Sequence, residues 1–179
     1  MFEIQHLDPQ RYRQQTRKST LVIVVIFAVL AMSLSALAVA LFGSTEGSNF
    51  RWNLGGVLLG VALTIVLVRY VFWHQSWMQP AVYGWQLKRS LMSVTNVMHQ
   101  VEAGVQAGLP EAMKLLRFYH LGQVEMHRLD GHPQAADELS GPLEKHRQAM
   151  LETGLSIDQY RLDPAWLASL QQRKPDTSA

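Results

Sequence analysis

Two long apolar runs set the pattern of this chain. Leu21–Phe42 contains no charged residue, and Leu54–Val68 follows after a short polar stretch. At about 1.5 Å per residue, the 22 residues of the first run reach about 33 Å as a helix, enough to cross a hydrocarbon core of about 30 Å. The second run is shorter. Trp52 and Trp73 bracket it 21 residues apart, about 31 Å of helix, so each indole can stand at a headgroup level. Between the runs, Gly43–Asn53 is rich in Gly, Ser, Thr and Asn, a composition that favours a turn. The pattern predicts a two-span transmembrane hairpin over residues 20–75 with a short loop at 43–53. Ahead of it, Asp8-Pro9 has the form of a helix start, with Asp as N-cap and Pro at the first helical position. Residues 1–19 are expected to form a cytoplasmic amphipathic segment that lays its basic face on anionic lipid.

A cleaved leader is the competing reading of the first run, because Ala36-Leu37-Ala38 and Ala38-Val39-Ala40 match the small-x-small cleavage pattern. The run exceeds the apolar core of about 7–15 residues that a leader carries, and a long polar segment precedes it. Retention as a span is the expectation.

Beyond the spans the rhythm changes. Leu87, Leu91, Val94, Met98, Val101 and Val105 recur at spacings of 4, 3, 4, 3 and 4, the a/d rhythm of a coiled coil over nearly three heptads and the expected helix-pairing stripe. Gly108 suits a left-handed C-cap and Pro110 the first turn of the next helix. That helix carries a matching stripe of Ala112, Leu115, Tyr119, Gly122, Met126 and Leu129. The two predict an antiparallel helical hairpin closed by Gly131-His132-Pro133. Pro133–Leu139 and Pro142–Thr153 read as shorter helices divided by Ser140-Gly141-Pro142. Ser156 with Gln159 resembles a capping box, and Asp163-Pro164 opens a last helix carrying Trp166, Leu167 and Leu170. No strand pattern occurs outside the spans. The predicted fold is all-α: a transmembrane helical hairpin, then a cytoplasmic antiparallel helical hairpin or small bundle over residues 76–173, and a flexible tail at 174–179.

Charge sets the orientation. Arg11, Arg13, Arg17 and Lys18 precede the first span, and Arg69, Lys88 and Arg89 follow the second, whereas the loop holds Arg51 beside Glu46. Both termini are therefore expected on the cytoplasmic side. Trp52, Arg69, Trp73, Trp77, Arg17 and Lys18 read as lipid anchors, with Arg69 close enough to the membrane boundary to snorkel. Gly56, Gly60 and Thr64 recur one per turn on one face of the second span, and Ala31 and Ser35 do so on the first. In lipid, small residues let helix backbones approach and associate. Whether this face packs within one hairpin or between two chains is open at this level.

The chain has no cysteine, which removes disulfides, thiol nucleophiles and iron–sulfur ligation. A net charge of +2 without an aromatic-interleaved basic stripe argues against nucleic acid as a partner. Seven histidines are the unusual feature. His99, Glu102, His120 and His127 form a weak candidate metal set. His120 and His127 stand seven residues apart, about 10 Å along a helix, too far to share one ion unaided. Glu102, Glu111, Glu125 and Glu144 have Val105, Lys114, Arg128 and Arg147 three residues later, so the paired Glu-x-x-His of a di-iron bundle is missing there, and His-Glu-x-x-His, Gly-x-Ser-x-Gly and a Gly-rich phosphate loop do not occur. No catalytic residue, metal or cofactor is therefore expected.

The opening Leu7-Asp8-Pro9-x-x-Tyr12-Arg13, the two spans and the segment Met113–Gln123 resemble a group of gammaproteobacterial inner-membrane proteins grouped as a domain of unknown function. The resemblance covers most of the chain and implies a bacterial inner-membrane location, without transferring any catalytic residue. The expected role is non-enzymatic: a self-associating scaffold, or an accessory or regulatory subunit of a larger membrane complex, in contact with membrane lipid. A small homo-oligomeric channel or transporter component is one alternative, with Ser33, Ser35 or Thr64 facing a pore. A metal- or pH-responsive membrane sensor is the other.

Overall fold

Asp8-Pro9 starts the first helix as its residues dictate. Asp8 Oδ1 accepts the Arg11 amide at 2.7 Å, and the Asp8 carbonyl accepts the Tyr12 amide at 2.9 Å. From there α1 runs unbroken over Pro9–Phe42 in the computed structural model, which describes residues 1–45 and 47–172. Helix α2 spans Phe50–Leu67 and continues as a π-helical segment, Val68–Phe72. Both helices are long and apolar enough to cross a membrane. Only 6% and 17% of their most apolar windows are buried, unlike the core helices of a soluble fold.

The connecting loop is shorter than expected. Asn49 closes it by accepting the Ser44 amide at 3.0 Å and donating back to the Ser44 carbonyl at 3.3 Å. The helix can then begin at Phe50, so Phe50–Asn53 belongs to α2 and not to the loop.

A short 3₁₀ turn at Ser76–Met78 leads into α3 (Gln79–Thr95), α4 (Met98–Gln106), α5 (Pro110–Asp130), α6 (Pro133–Glu138), α7 (Ser140–Glu152) and α8 (Pro164–Gln172). The fold is mostly helical. Among the described residues its one sheet is a two-residue antiparallel pair, β1 (Phe2–Glu3) with β2 (Arg161–Leu162), in which Phe2 faces Leu162. Strands this short leave no periodic signal in a sequence.

The chain forms two compact units. One is Gln14–Val82. The other joins Met1–Arg13 to residues 83–172. The N-terminal segment is thus not a single amphipathic element over residues 1–19. Ile4 and Tyr12 are buried in the core of the second unit, among Leu87, Val94, Leu115 and Phe118.

Three local expectations are corrected. The stripe Leu87–Val105 is not one coiled-coil helix: the β-branched and Asn-containing stretch Val94–Val97 has low helix propensity, and the chain breaks there between α3 and α4. Ser140-Gly141-Pro142 does not divide two helices but forms the first turn of α7, where proline is tolerated. Ser156 and Gln159 do not cap a helix. Gln159 Nε2 donates to the Ser156 carbonyl at 2.8 Å inside a non-helical turn. The expected tail at 174–179 lies outside the described residues.

The helix end expected at Gly108 (φ +69°) has the left-handed form, and the closing Gly131 (φ +84°) shares it. Each sits in a Schellman turn, with Leu109 N–H to Gly104 C=O and His132 N–H to His127 C=O, both at 2.9 Å.

Candidate functional site

Within unit Gln14–Val82, the small residues make a seam between α1 and α2. Gly56 lies against the backbone of Ser35 and Leu34, and Gly60 against that of Ala31, so neither position has room for a side chain. Thr64 is buried and donates its hydroxyl to the Gly60 carbonyl at 2.8 Å. Ser35 Oγ donates to Asn53 Oδ1 at 2.7 Å across the same seam. The face that left two options open in the sequence is occupied by its own chain.

The aromatic and basic residues expected at the membrane boundary flank the apolar runs. Trp52 stacks on Phe42 with ring centroids 5.1 Å apart. The Arg69 guanidinium lies over the Trp73 ring at 5.5 Å, and Trp77 packs on Phe72 at 5.4 Å. Arg17 and Lys18 are exposed. Between them and the apolar run, the Ser19 hydroxyl lies 2.7 Å from the Trp77 carbonyl and ties α1 to the exit from α2.

In the second unit the pairing stripe is core. Leu87, Leu91, Val94 and Val101 are buried, with Met98 and Val105 packed against them. Gly104 permits α4 to approach α5: a methyl group there would stand 2.7 Å from the Ala112 Cβ.

The weak metal set does not assemble. His99 and Glu102 are exposed on α4. His120 instead meets His146 of α7 edge-on at 5.7 Å. No group of three or more His, Asp or Glu side chains able to hold a metal occurs among the described residues. His146 Nε2 is 2.8 Å from the Met113 carbonyl, which can only accept, so Nε2 carries the proton. His120 Nδ1 is buried with no hydrogen-bond partner among the described residues. Buried Arg117 completes this patch, donating to the Ile157 carbonyl at 3.2 Å and the Leu143 carbonyl at 3.4 Å. Burial, then His146 and Arg117, lowers the His120 pKa to about 4. Burial also lowers that of His146.

A second polar group holds the N-terminal segment. Glu125, 2% exposed, accepts Arg128 Nη2 at 2.7 Å and Nε at 3.0 Å. It also accepts the Leu7 amide at 3.4 Å and lies 3.2 Å from His6 Nδ1. Arg128 Nη2 donates to the Leu7 carbonyl at 2.6 Å. On the other side of the segment, Tyr83 and Gln5 bond reciprocally, the Gln5 amide to the phenolic oxygen and the phenol to the Gln5 carbonyl, both at 3.0 Å. Burial raises the Tyr83 pKa. Glu125, Arg128, Arg117, His146 and His6 were not singled out as site residues from the sequence. The Glu125–Arg128 spacing, which brings both side chains to one helix face, was the available signal.

A family model described as "Protein of unknown function (DUF3087)" matches residues 2–167. No curated protein and no solved structure matches the chain.

Proposed function

The chain belongs to the DUF3087 family, and we propose that it is a two-span integral membrane protein that holds a helical domain at the cytoplasmic membrane face as a non-enzymatic scaffold or accessory subunit. One observation carries this reading. Met1–Arg13 and residues 83–172 belong to one compact unit, and both apolar runs lie between these segments. A chain that leaves a folded domain and returns to it crosses a bilayer an even number of times. The basic residues flanking the spans support the cytoplasmic side for that domain. The core position of Ile4 and Tyr12 supports retention of the N-terminal segment, against a cleaved leader.

The seam supports a self-sufficient anchor, since Gly56, Gly60 and Thr64 are used up within the hairpin. Partner contacts then fall to the helical domain and the outer faces of the spans. Alkaline extraction of membranes, followed by mild-detergent purification of the full chain, tests the reading. The expected result is retention in the membrane fraction and a stoichiometric membrane-protein partner or a defined oligomer. Release into the soluble fraction, or a monomer that never co-purifies with a partner, would overturn it.

A further inference from the structure

The space between α1 and α2 on the side toward Arg69 is a cleft of about 490 Å³. That size lies within the range of about 300–1,000 Å³ usual for ligand sites. Val24 and Phe27 of α1 and Val61, Ile65 and Val68 of the facing helix give it apolar walls. Arg69 and Trp73 line it too, and none of its lining residues is acidic.

The lining is almost wholly apolar, and the charge stands at its edge. The π-helical segment Val68–Phe72 carries Arg69, and the Trp73 amide closes it on the Val68 carbonyl at 2.9 Å. Such segments interrupt regular helices at functional positions. Here the segment presents a guanidinium, held over the Trp73 ring, beside an otherwise apolar cleft. The antiparallel register is given by Ser35 against Gly56 and Ala31 against Gly60. Continuing it sets Arg69 near the start of the apolar run of α1, with Arg17 about one and a half turns nearer the polar end. Arg17 shares a face with Val24, seven residues or two turns on.

We infer that this cleft binds one acyl chain of an anionic phospholipid whose phosphate meets Arg69. The charge pattern selects that occupant. A guanidinium at the edge of hydrocarbon needs an acceptor, and a phosphate matches its paired donors. Arg17, farther toward water, favours a headgroup of net negative charge and disfavours the quaternary ammonium of choline. Plain hydrocarbon would fill the apolar walls and bring Arg69 no anionic acceptor.

The inference rests on the membrane reading above, and the experiment separates the two. Alkaline extraction is done first: release of the chain there defeats the membrane reading. Full-length protein is then delipidated in detergent and offered equal phosphatidylglycerol and phosphatidylcholine, and bound lipid is counted by native mass spectrometry. Wild type is expected to retain phosphatidylglycerol over phosphatidylcholine. Arg69→Gln should lose about tenfold in phosphatidylglycerol retention, while Arg69→Lys keeps part of the preference. Ile65→Trp, which fills the cleft and keeps the charge, should lose both lipids. Equal retention of the two lipids by wild type would overturn the inference, as would unchanged phosphatidylglycerol binding in both Arg69→Gln and Ile65→Trp. Binding of glycerol phosphate as tight as that of the whole lipid would also overturn it. So would a co-purifying protein that Ile65→Trp releases in place of lipid.

Discussion

Gly60 faces Ala31 so closely that a methyl group on Gly60 would stand 2.9 Å from the Ala31 Cα and 3.0 Å from its nitrogen. Backbone cannot move aside as the end of a side chain can. Replacing Gly60 with Ile should therefore part the two helices at a cost of about 1–3 kcal/mol. Cysteines placed at Ser35 and Asn53, whose side chains now meet at 2.7 Å, report the parting in a chain with no cysteine of its own. Intramolecular cross-linking should be efficient in the parent and reduced with Gly60→Ile. Cross-linked dimers in the parent would instead place the seam between chains.

Glu125 is the acceptor on which the N-terminal segment converges. Glu125→Ala leaves Arg128 without its carboxylate and the Leu7 amide without an acceptor. Breaking a buried pair costs about 3–5 kcal/mol, and the partial exposure of Arg128 sets the expectation at about 2–3. Hydrogen exchange should accelerate across residues 2–8 before it does in α5.

The histidine pair predicts a pH dependence. The folded His120 pKa of about 4 lies below its ordinary value of 6.5. Between these values the unfolded chain binds a proton that the folded chain does not, so stability falls as pH drops from about 7 toward 4. With the shift discounted for partial exposure, the loss is about 2 kcal/mol. His146 shifts in the same direction and adds to it. Thermal unfolding of the full chain in detergent at about pH 7 and pH 5 measures the slope. His120→Gln should flatten it; an unchanged slope would assign it elsewhere.

Gly104→Ala sets two effects against each other. Alanine favours a helix over glycine by about 1 kcal/mol, whereas the new methyl group would stand 2.7 Å from the Ala112 Cβ. Overpacking at about 1–3 kcal/mol wins, so the variant should lower the unfolding midpoint. Gly104→Ala combined with Ala112→Gly should recover part of that loss.

What the sequence disclosed follows the reach of its signals. Asp8-Pro9, Gly108 and Gly131 act within a few residues, and each sits where its chemistry places it. The stripe from Leu87 to Val105 named buried and packed positions but hid the break at Asn96, because the apolar spacing continues through a non-helical turn. The short strand pair and the Glu125 cluster were invisible for a different reason. His6 and Glu125 are 119 positions apart, and no periodicity links them. His120 drew notice with His127, yet its ring partner His146 lies on another helix. Residues alone left the small-residue face undecided, since packing within one hairpin and between two chains asks for the same glycines.

The pairing of Phe2–Glu3 with Arg161–Leu162 bears on the order of synthesis. Phe2–Glu3 leaves the ribosome long before its edge partner, Arg161–Leu162. While both apolar helices are being translated, Ile4 and Tyr12 have no finished core to enter. The helical domain can close only after Arg161–Leu162 has emerged, so a ribosome stalled in α7 would hold a nascent chain whose strand pair is still open.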